Sequence, residues 1–541
     1  MKSVYFKDWV AGWEWVSRIG LFLLLLSALV QLGMFVLTQN YMVSYLGAQP
    51  EDIWFAVMAT YAGIITILPV QFRFLRYFET RSYLLFNIMT AIILNVLCIH
   101  CQDIFLFLCI RFVQGVFAGN IIVCTLTLIF SRLHPERARP VGSAVFYGTM
   151  LSNTVLIAMV SGVLVESSDW KWTYYCLIFF QILMLVVVLL FLKRKSGFRR
   201  YPLYQIDFAG MIVFGCTALA GAYTILYGSK YYWFTDSRIC VSSFIAIIGI
   251  ALFSYRQHIA KRPVVHLSVF KSRNFIVGLC ILAIYYGGKD SINLIYNYAG
   301  GVLKWSTLQI IILAACNMTG MVLFLVLSIR FIVTKKVSVH AFFAPGFALL
   351  GLFNLWMSFL LTPNLSFTDL LVPVFVQGAA SGLLFVPIMI FVLSSAPGHT
   401  GSSGLIIAAY TRFTATLNSF AGFYNLQIYY NQYFKEGFLG YVTSENPNTT
   451  EWLNSNKGIY ASKGFSADQA AALANSALSQ AVNLQSQLLT NRAIFTLFAL
   501  VLLALALLIA IIPLLFKFYT RNRKKKERVR LILNFSLEKA A

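Results

Sequence analysis

Long apolar runs follow one another along most of the 541-residue chain, and short polar segments separate them. A helix needs about 20 predominantly apolar residues to cross the hydrocarbon core of a bilayer. The pattern therefore predicts an all-α polytopic membrane protein with about fourteen spans. The predicted spans are 19–39, 53–71, 83–99, 104–130, 142–165, 173–192, 208–227, 239–255, 275–298, 307–332, 340–361, 370–394, 404–430 and 492–516.

Composition strengthens this prediction and removes one alternative. Hydrophobic residues make up 59% of the chain and charged residues only 11%, whereas a soluble domain carries about 25% charged residues. The formal net charge of +23 would suit a nucleic-acid-binding protein, but the lysines and arginines lie in alternate loops rather than on one face. No nucleic-acid partner is therefore expected, and the expected surroundings are membrane lipids.

The basic loops also predict the orientation of the chain. Lysine and arginine concentrate in every second loop and in the tail KFYTRNRKKKERVR, and such loops stay on the cytoplasmic side of a membrane. Both termini are therefore predicted to be cytoplasmic, in a multi-pass protein of the cell inner (plasma) membrane. The polar segment 431–491 then lies outside.

The stretch YYGGKDSINLIYNY, residues 285–298, places Lys289 and Asp290 side by side near the middle of a predicted span. A charge at that depth costs about 2.5–3.5 kcal/mol on insertion scales, so such residues usually serve a function. Neighbouring side chains of a helix point about 100° apart, so each charge is expected to find a partner other than its neighbour. The pair Gly287–Gly288 is expected to bend the helix.

Two interpretations of these charges stay open. In the first, they form a structural ion network with Arg111 or Arg412. In the second, they form a polar substrate or proton site in a central cavity, since transporters bind their substrates near the midplane between repeats. The residues predicted to line that cavity are Lys289, Arg111, Gln114, Tyr286, Asn293, Asn297 and Arg412.

The fourth predicted span begins FLFLCIRFVQGVFAGNIIV, in which Arg111, Gln114 and Gly115 form the pattern R-x-x-Q-G. This pattern resembles motif B of the major facilitator superfamily. Four further stretches resemble, in chain order, the fourteen-span drug:proton antiporter branch of that superfamily, the EmrB/QacA-like transporters. They are DWKWTYY (169–175), YQIDFAGMIVFG (204–215), RPVVHLSVFKSRNF (262–275) and GHTGSSGLIIAAYTRFTATLNSFAG (398–422).

The resemblance implies the major facilitator fold, with two six-helix bundles and an inserted two-helix pair. It also implies proton-driven transport of a small-molecule substrate. The expected division is a cytoplasmic lead-in 1–18, an N-terminal six-helix bundle 19–192, an inserted helix pair with its loops 193–274, a C-terminal six-helix bundle 275–516 that includes the extracytoplasmic segment 431–491, and a basic cytoplasmic tail 517–541.

The chain departs from the family at three motifs. The first span reads ALVQLGMFVLTQN, without the carboxylate of the usual Leu-Asp-x-Thr motif. Motif A lacks its aspartate in LPVQFRFLRYFETRSYLL, and motif C lacks its proline in LSNTVLIAMVSGVL. Because the first span offers no acidic residue, Asp290 is the candidate for proton coupling, with Lys289 as its modulator or as a substrate counter-charge.

The outer segment contains SADQAAALANSALSQAVNLQSQLL, whose spacing without a breaker predicts an amphipathic helix over 465–490. By analogy with related tripartite exporters, the partner expected for 431–491 is a periplasmic adaptor protein. A solvated spacer is the alternative interpretation of this segment.

The predicted function is a secondary active transporter, namely a proton-coupled exporter of amphipathic or lipophilic small molecules that works by alternating access. An alternative is a carrier of an anionic metabolite or lipid, with Lys289, Arg111 and Arg412 as counter-charges. A polytopic membrane enzyme is a remote alternative, because the sequence contains no HExxH, GxSxG or P-loop pattern. No cofactor and no metal are expected.

Overall fold

The chain is helical almost throughout the part that the structure describes. Within this part, one isolated β-bridge joins Phe6 to Leu192. The structure, a computed structural model, describes residues 5–33, 39–132, 171–194, 206–260, 263–334, 337–397, 400–443 and 445–538, with isolated positions between 142 and 156 and at 203.

Twelve helices in these ranges are long and apolar enough to cross a membrane, so the predicted all-α polytopic fold is confirmed. The predicted fifth span, 142–165, lies largely outside the described residues. The predicted thirteenth span, 404–430, lies within a 39-residue helix, Gly401–Leu439, which is too polar to be among the twelve. The count of fourteen spans stays a prediction.

The N-terminal half is built around a close crossing of its second and fourth long helices, α4 and α7. A Cβ atom at Gly115 of α7 would lie 1.9 Å from the carbonyl oxygen of Thr60 on α4, so only glycine allows the two backbones to approach. The helices of this half are α1 Asp8–Gly12, α2 Glu14–Gly33, α3 Gln39–Leu46, α4 Pro50–Ile67, α5 Gln71–Tyr77, α6 Thr80–His100, α7 Ile104–Ser131 and α8 Lys171–Phe191.

The N-terminal lead-in is tied to the end of α8. The Lys7 backbone N–H donates to Phe191 O at 2.9 Å, and the Lys193 N–H donates to Tyr5 O at 2.9 Å. Helix α2 begins at Glu14, before the predicted start of the first span at residue 19. Three tryptophans near the N-terminus have exposed side chains: Trp9, Trp13 and Trp15.

The inserted pair consists of α9 (Phe208–Tyr227) and α10 (Ser237–Ile259), and α9 packs on α4. The Asp207 side chain caps α9 by accepting from the Gly210 N–H at 3.0 Å, and it binds Arg256 Nη2 of α10 at 2.7 Å. A Cβ atom at Gly210 would lie 2.3 Å from the Asp207 carboxylate. The Asp-x-x-Gly pattern is therefore a helix cap that also joins the two inserted helices.

The C-terminal half repeats this kind of packing, with its fourth helix α15 lying closely on α13 and α14. Its first predicted span is divided into α11 and α12. The helices are α11 Arg273–Asp290, α12 Ile292–Gly301, α13 Thr307–Val333, α14 Phe343–Leu360, α15 Phe367–Ser395, α16 Gly401–Leu439, α17 Pro447–Ser462 and α18 Ala467–Glu538.

Apolar contacts join the two halves. Phe413, Leu417 and Ala421 of α16 pack into the hydrophobic cluster of the N-terminal half. Leu68 and Val123 of the N-terminal half pack into a cluster formed mainly by the C-terminal half. The region between the halves is therefore lined by α4 and α7 from one side and by α11 and α16 from the other.

The outer segment 431–491 is largely helical rather than a loop. Helix α16 continues to Leu439, α17 follows, and α18 begins at Ala467. The helix predicted over 465–490 is present, but it is not separate, because the 72-residue α18 runs without interruption into the last span. The Ala/Leu/Gln-rich sequence contains neither glycine nor proline between Ala467 and residue 492, so nothing breaks the helix at the junction.

Candidate transport site

The first span of the C-terminal half is interrupted next to its two charges. Helix α11 ends at Asp290, and α12 begins after Ser291. Both glycines of the pair Gly287–Gly288 lie within α11, so the interruption of the span follows them at Ser291, and the bend expected at the pair stays a prediction. A Cβ atom at Gly288 would approach Leu350 of α14 to 2.9 Å, so this glycine serves close helix packing.

Lys289 and Asp290 form an ion pair with each other. The distance from Lys289 Nζ to Asp290 Oδ1 is 2.7 Å, and the side chains are 23% and 7% exposed. The prediction that these neighbours cannot pair is wrong, since the flexible four-carbon stem of lysine carries its ammonium across the angle between them. The helix also ends at this point, which leaves room for the two side chains to converge.

Residues from two other helices complete this cluster. The guanidinium carbon of Arg412 on α16 lies 5.9 Å from the centre of the Tyr286 ring, and Lys289 Nζ lies 5.6 Å from the same centre. Tyr61 of α4 lies within electrostatic reach of both Arg412 and Asp290. Because α4 belongs to the N-terminal half, the cluster lies where the two halves meet. We call these five residues the junction cluster.

Two amide side chains that were not identified from the sequence hold the end of α11. Gln377 Nε2 of α15 donates to the Lys289 carbonyl oxygen at 2.8 Å. Asn317 Nδ2 of α13 donates to Gln377 Oε1 at 2.6 Å, and both amides are buried. The signal that could have identified Gln377 is the tetrapeptide FVQG, which occurs at 112–115 and again at 375–378.

The other predicted cavity residues lie apart from the junction cluster. On α12, Asn293 is half-buried and Asn297 is exposed. Arg111 and Gln114 lie on α7 inside the N-terminal half. Arg111 Nη1 donates to Gln114 Oε1 at 2.7 Å, and Nη2 donates to the Gln31 carbonyl oxygen at 2.9 Å. Of the two cations considered as partners for Asp290, the structure therefore brings Arg412 near it and leaves Arg111 elsewhere.

Arg111 belongs to a buried network of amides, which we call the amide cluster. Gln114 Nε2 donates to Asn95 Oδ1 at 3.0 Å, and Asn95 Nδ2 donates to Gln181 Oε1 at 2.9 Å. Arg111, Gln114 and Asn95 are fully buried. These contacts join α2, α6, α7 and α8, so the network holds together four helices of one half.

A family model described as the Major Facilitator Superfamily matches residues 19–423. The chain belongs to the Major Facilitator Superfamily. It is 22% identical over 392 residues to the probable multidrug resistance protein EmrY of Escherichia coli K12, across 70% of this chain and 72% of EmrY. It is 23% identical over 378 residues to the multidrug export protein EmrB of Haemophilus influenzae, across 68% and 71% of the two chains. The predicted resemblance to the EmrB/QacA-like branch is confirmed, and this chain is a divergent member.

Solved structures of the superfamily have the same fold. The structure of a POT family transporter in complex with 5-aminolevulinic acid matches with a TM-score of 0.58 at 14% identity, covering 91% of this chain and 96% of that chain. A peptide transporter POT in complex with sulfate matches with a TM-score of 0.55 at 14% identity, covering 91% and 94%. At such low identity these matches concern the fold alone, and they confirm the predicted major facilitator fold.

These relatives and structural neighbours are transporters, so this superfamily member is a multi-span membrane transporter. The prediction that it is not an enzyme is confirmed by the same comparison. In the described ranges, no group of three or more His, Cys, Asp or Glu side chains is arranged to hold a metal ion.

Proposed function

We propose that this transporter exports amphipathic or lipophilic small molecules by alternating access, driven by protons that bind Asp290. The observation that carries the proposal is the Lys289–Asp290 ion pair at the junction of the two halves, beside Arg412 and Tyr61. Alternating access moves the halves against each other around such a site, so the pair would face one side of the membrane at a time. The multidrug export proteins among the relatives support the substrate class.

The chemistry of the pair suits reversible protonation. Burial favours the neutral carboxyl, whereas a nearby ammonium favours the carboxylate. Both influences act on Asp290, whose side chain is 7% exposed and lies 2.7 Å from Lys289 Nζ. When a proton binds the carboxylate, the ion pair is lost, and the Lys289 ammonium keeps the Tyr286 ring as a neighbour. This change of charge is the step that we propose to favour the other orientation of the halves.

The test uses purified protein in liposomes with an imposed pH gradient and a fluorescent lipophilic dye. Asp290→Asn keeps the size and hydrogen bonding of the side chain but removes its titration. We expect it to abolish accumulation against the dye gradient and to spare downhill exchange. The matched control is Asp369→Asn, since Asp369 is an exposed carboxylate at the start of α15. Uphill transport by Asp290→Asn at the wild-type rate and pH dependence would remove Asp290 from the coupling step.

A carrier of anionic metabolites or lipids is the second candidate. The observation that favours it is the excess of positive over negative charge among the buried side chains. Among the described residues, the buried charged side chains are Arg111, Arg412 and Asp290, and the partly exposed Lys289 adds a third cation. The same liposomes distinguish the two candidates. Transport of an anionic dye in preference to a neutral lipophilic dye, weakened most by Lys289→Ala, would favour the anion carrier.

The proposed location is the inner (plasma) membrane, with both termini and residues 193–207 in the cytoplasm. The support is the asymmetry of lysine and arginine between alternate loops. A cysteine introduced at Lys457 in the outer segment, in a background without reactive native cysteines, should react with an impermeant reagent from outside only. Reaction from the cytoplasm only would reverse the orientation.

We also propose that the outer helical projection, residues 431–491, docks a periplasmic adaptor protein. Several of its apolar side chains are exposed, including Tyr433, Tyr441, Ile459 and Leu484. Deletion of 440–485 should leave membrane insertion and dye transport in liposomes intact, because the projection lies outside the helix bundles. The same deletion should abolish export across the whole cell envelope. Undiminished export from cells by the deletion variant would leave the projection as a spacer.

A further inference from the structure

Two segments in different halves of the chain repeat each other. Residues 111–119 read RFVQGVFAG on α7, and residues 374–382 read VFVQGAASG on α15. Gln377 therefore corresponds to Gln114, and a valine replaces Arg111 at the first position of the repeat.

Helix packing follows the same repeat. A Cβ atom at Gly115 would lie 1.9 Å from Thr60 O of α4, and one at Gly378 would lie 2.0 Å from Asn317 O of α13. The α4–α7 and α13–α15 crossings are thus equivalent, with glycine against a carbonyl in each. Asn317 occupies in the C-terminal half the place that Thr60 has in the N-terminal half.

The first helices of the two halves can be aligned as well. Residues 18–33 read RIGLFLLLLSALVQLG, and residues 276–291 read IVGLCILAIYYGGKDS. In this alignment Gly20 corresponds to Gly278, and Gln31 corresponds to Lys289. Gln31 lies two residues before Gly33, the last described residue of α2, and α11 ends one residue after Lys289.

In both halves the backbone carbonyl at this position accepts a hydrogen bond from the repeated segment. Arg111 Nη2 donates to Gln31 O at 2.9 Å, and Gln377 Nε2 donates to Lys289 O at 2.8 Å. Each hydrogen bond joins the first long helix of its half to the fourth, and in the C-terminal half it does so next to the residue at which α11 ends.

The two halves differ in which side chain makes this contact. In the N-terminal half Gln114 holds Arg111, and the arginine reaches the carbonyl. In the C-terminal half the arginine is absent, so Gln377 reaches the carbonyl itself and is held by Asn317 at 2.6 Å. A positive charge lies instead on the first helix of this half, at Lys289.

We propose that Gln377 is a positioning residue for the coupling pair: by holding the Lys289 carbonyl, it fixes the direction in which Lys289 and Asp290 project into the junction cluster. This inference rests on the proposed function, in which Asp290 carries the proton. Asn317 supports it by fixing the orientation of the Gln377 amide.

Loss of this hydrogen bond changes the pH dependence of transport. The hydrogen bond fixes the backbone that carries Lys289 and Asp290, so its loss lets the distance between the ammonium and the carboxylate vary, and that distance sets the strength of their attraction. The charged and titratable groups that face Asp290 in the described structure are Lys289, Tyr285 and Tyr286 on its own helix, Arg412 on α16 and Tyr61 on α4.

The experiment measures dye transport in liposomes as a function of pH for wild type, Gln377→Met, Asp290→Asn and the double variant. Gln377→Met keeps the length of the side chain and removes the donor. We expect the uphill rate to fall about threefold to twentyfold, as for the loss of one interhelical hydrogen bond in a membrane. We expect the pH midpoint of uphill transport to differ from that of the wild type by roughly half a unit or more. The control is Asn354→Leu, because this buried amide donates only within its own helix, to Leu350 O at 2.7 Å.

Asn317→Thr serves as a second variant that introduces the residue of the equivalent position in the other half. It should shift the midpoint in the same direction by a smaller amount, and it tests the inference even where Gln377→Met fails to fold. In the Asp290→Asn background, Gln377→Met should leave the rate of downhill exchange at the value of Asp290→Asn alone, since the pair that Gln377 positions is already disabled.

Three results would contradict the proposed role of Gln377. The positioning role alone is overturned if Gln377→Met keeps the wild-type pH dependence of transport while Asp290→Asn loses uphill transport. An equal loss of downhill exchange with and without Asp290 shows that Gln377 acts only on the fold. Uphill transport by Asp290→Asn at the wild-type rate overturns the proposed function, and this inference with it.

Discussion

The amide cluster of the N-terminal half and the junction cluster of the C-terminal half lie at equivalent places in two similarly packed sets of helices, but they differ in their chemistry. In each, a side chain of the repeated segment on a fourth long helix donates to a backbone carbonyl of the first. The amide cluster combines a guanidinium with amides and is fully buried inside one half. The junction cluster combines an ammonium with a carboxylate and lies between the halves.

This difference separates a fixed charge from one that can change. An arginine keeps its proton under all ordinary conditions, so Arg111 and its amides form a permanent part of the N-terminal half. An Asp–Lys pair can lose its charge when a proton binds, and under the proposed function its position between the halves would couple that change to their relative motion. One repeated framework thus holds an arginine–amide network in one half and an acid–base pair in the other.

The largest expected effect tests whether the scaffolds are equivalent. Gly115→Val and Gly378→Val each bring a side chain into collision with a backbone carbonyl of the facing helix. The carbonyl oxygen lies 1.9 Å from the Cβ position at Gly115 and 2.0 Å from that at Gly378. Backbone cannot yield as a flexible side chain can, so we expect both variants to lose the folded, monodisperse protein in detergent. Gly221→Ala, with open space around its Cβ position, is the control. A folded Gly378→Val with an unfolded Gly115→Val would break the equivalence.

The next effect compares the loss of the two cations. Lys289→Met leaves Asp290 buried without the ammonium that pairs with it, which costs about 3–5 kcal/mol. Arg111→Met removes the guanidinium that donates to the Gln114 side-chain oxygen, at about 1–3 kcal/mol.

Thermal unfolding of the two variants in detergent at neutral pH checks this contrast, as differences from the wild type. A smaller loss of stability for Lys289→Met than for Arg111→Met would contradict the prediction that Asp290 depends on its ion pair with Lys289.

The smallest effect concerns an ion pair at the membrane edge, Asp207–Arg256. Burial alone would raise the pKa of Asp207, but hydrogen bonds from Arg256 and the Gly210 N–H outweigh burial and lower it. Because the folded pKa is lowered, the stabilisation is complete above the ordinary value of 3.8 and is lost as the pH falls below it. Asp207→Asn keeps the helix cap and should cost at most about 1 kcal/mol.

Asp207→Ala removes the cap as well and should cost about 1–2 kcal/mol. Unfolding temperatures of both variants at neutral pH and near pH 3 measure the two contributions. The control is Glu14→Gln, which removes a more exposed ion pair to Arg18. If Asp207→Asn lowered the stability as much as Lys289→Met, the burial of an ion pair would not determine the cost of losing one of its partners.

The sequence predicted the kind of site better than its geometry. Mid-membrane charges at Lys289, Asp290 and Arg412 were identified because few residue types can lie at that depth without a reason. The pairing of Lys289 with Asp290 was predicted wrongly, since helix angles describe backbone directions and not the reach of a lysine stem. Tyr61 and Gln377 were missed because a tyrosine or glutamine in a membrane helix has many ordinary uses.

By itself, the sequence determined the fold class, the superfamily and the positions of most spans, because the length of an apolar run and the order of short motifs are local properties of the chain. Only the tertiary structure decided which polar groups share a site. It separated Arg111 from Lys289, brought Arg412 and Tyr61 to Asp290, and ended α11 beside the ion pair. These outcomes depend on contacts between helices far apart in the chain, and hydrophobic periodicity carries no information about which helices meet.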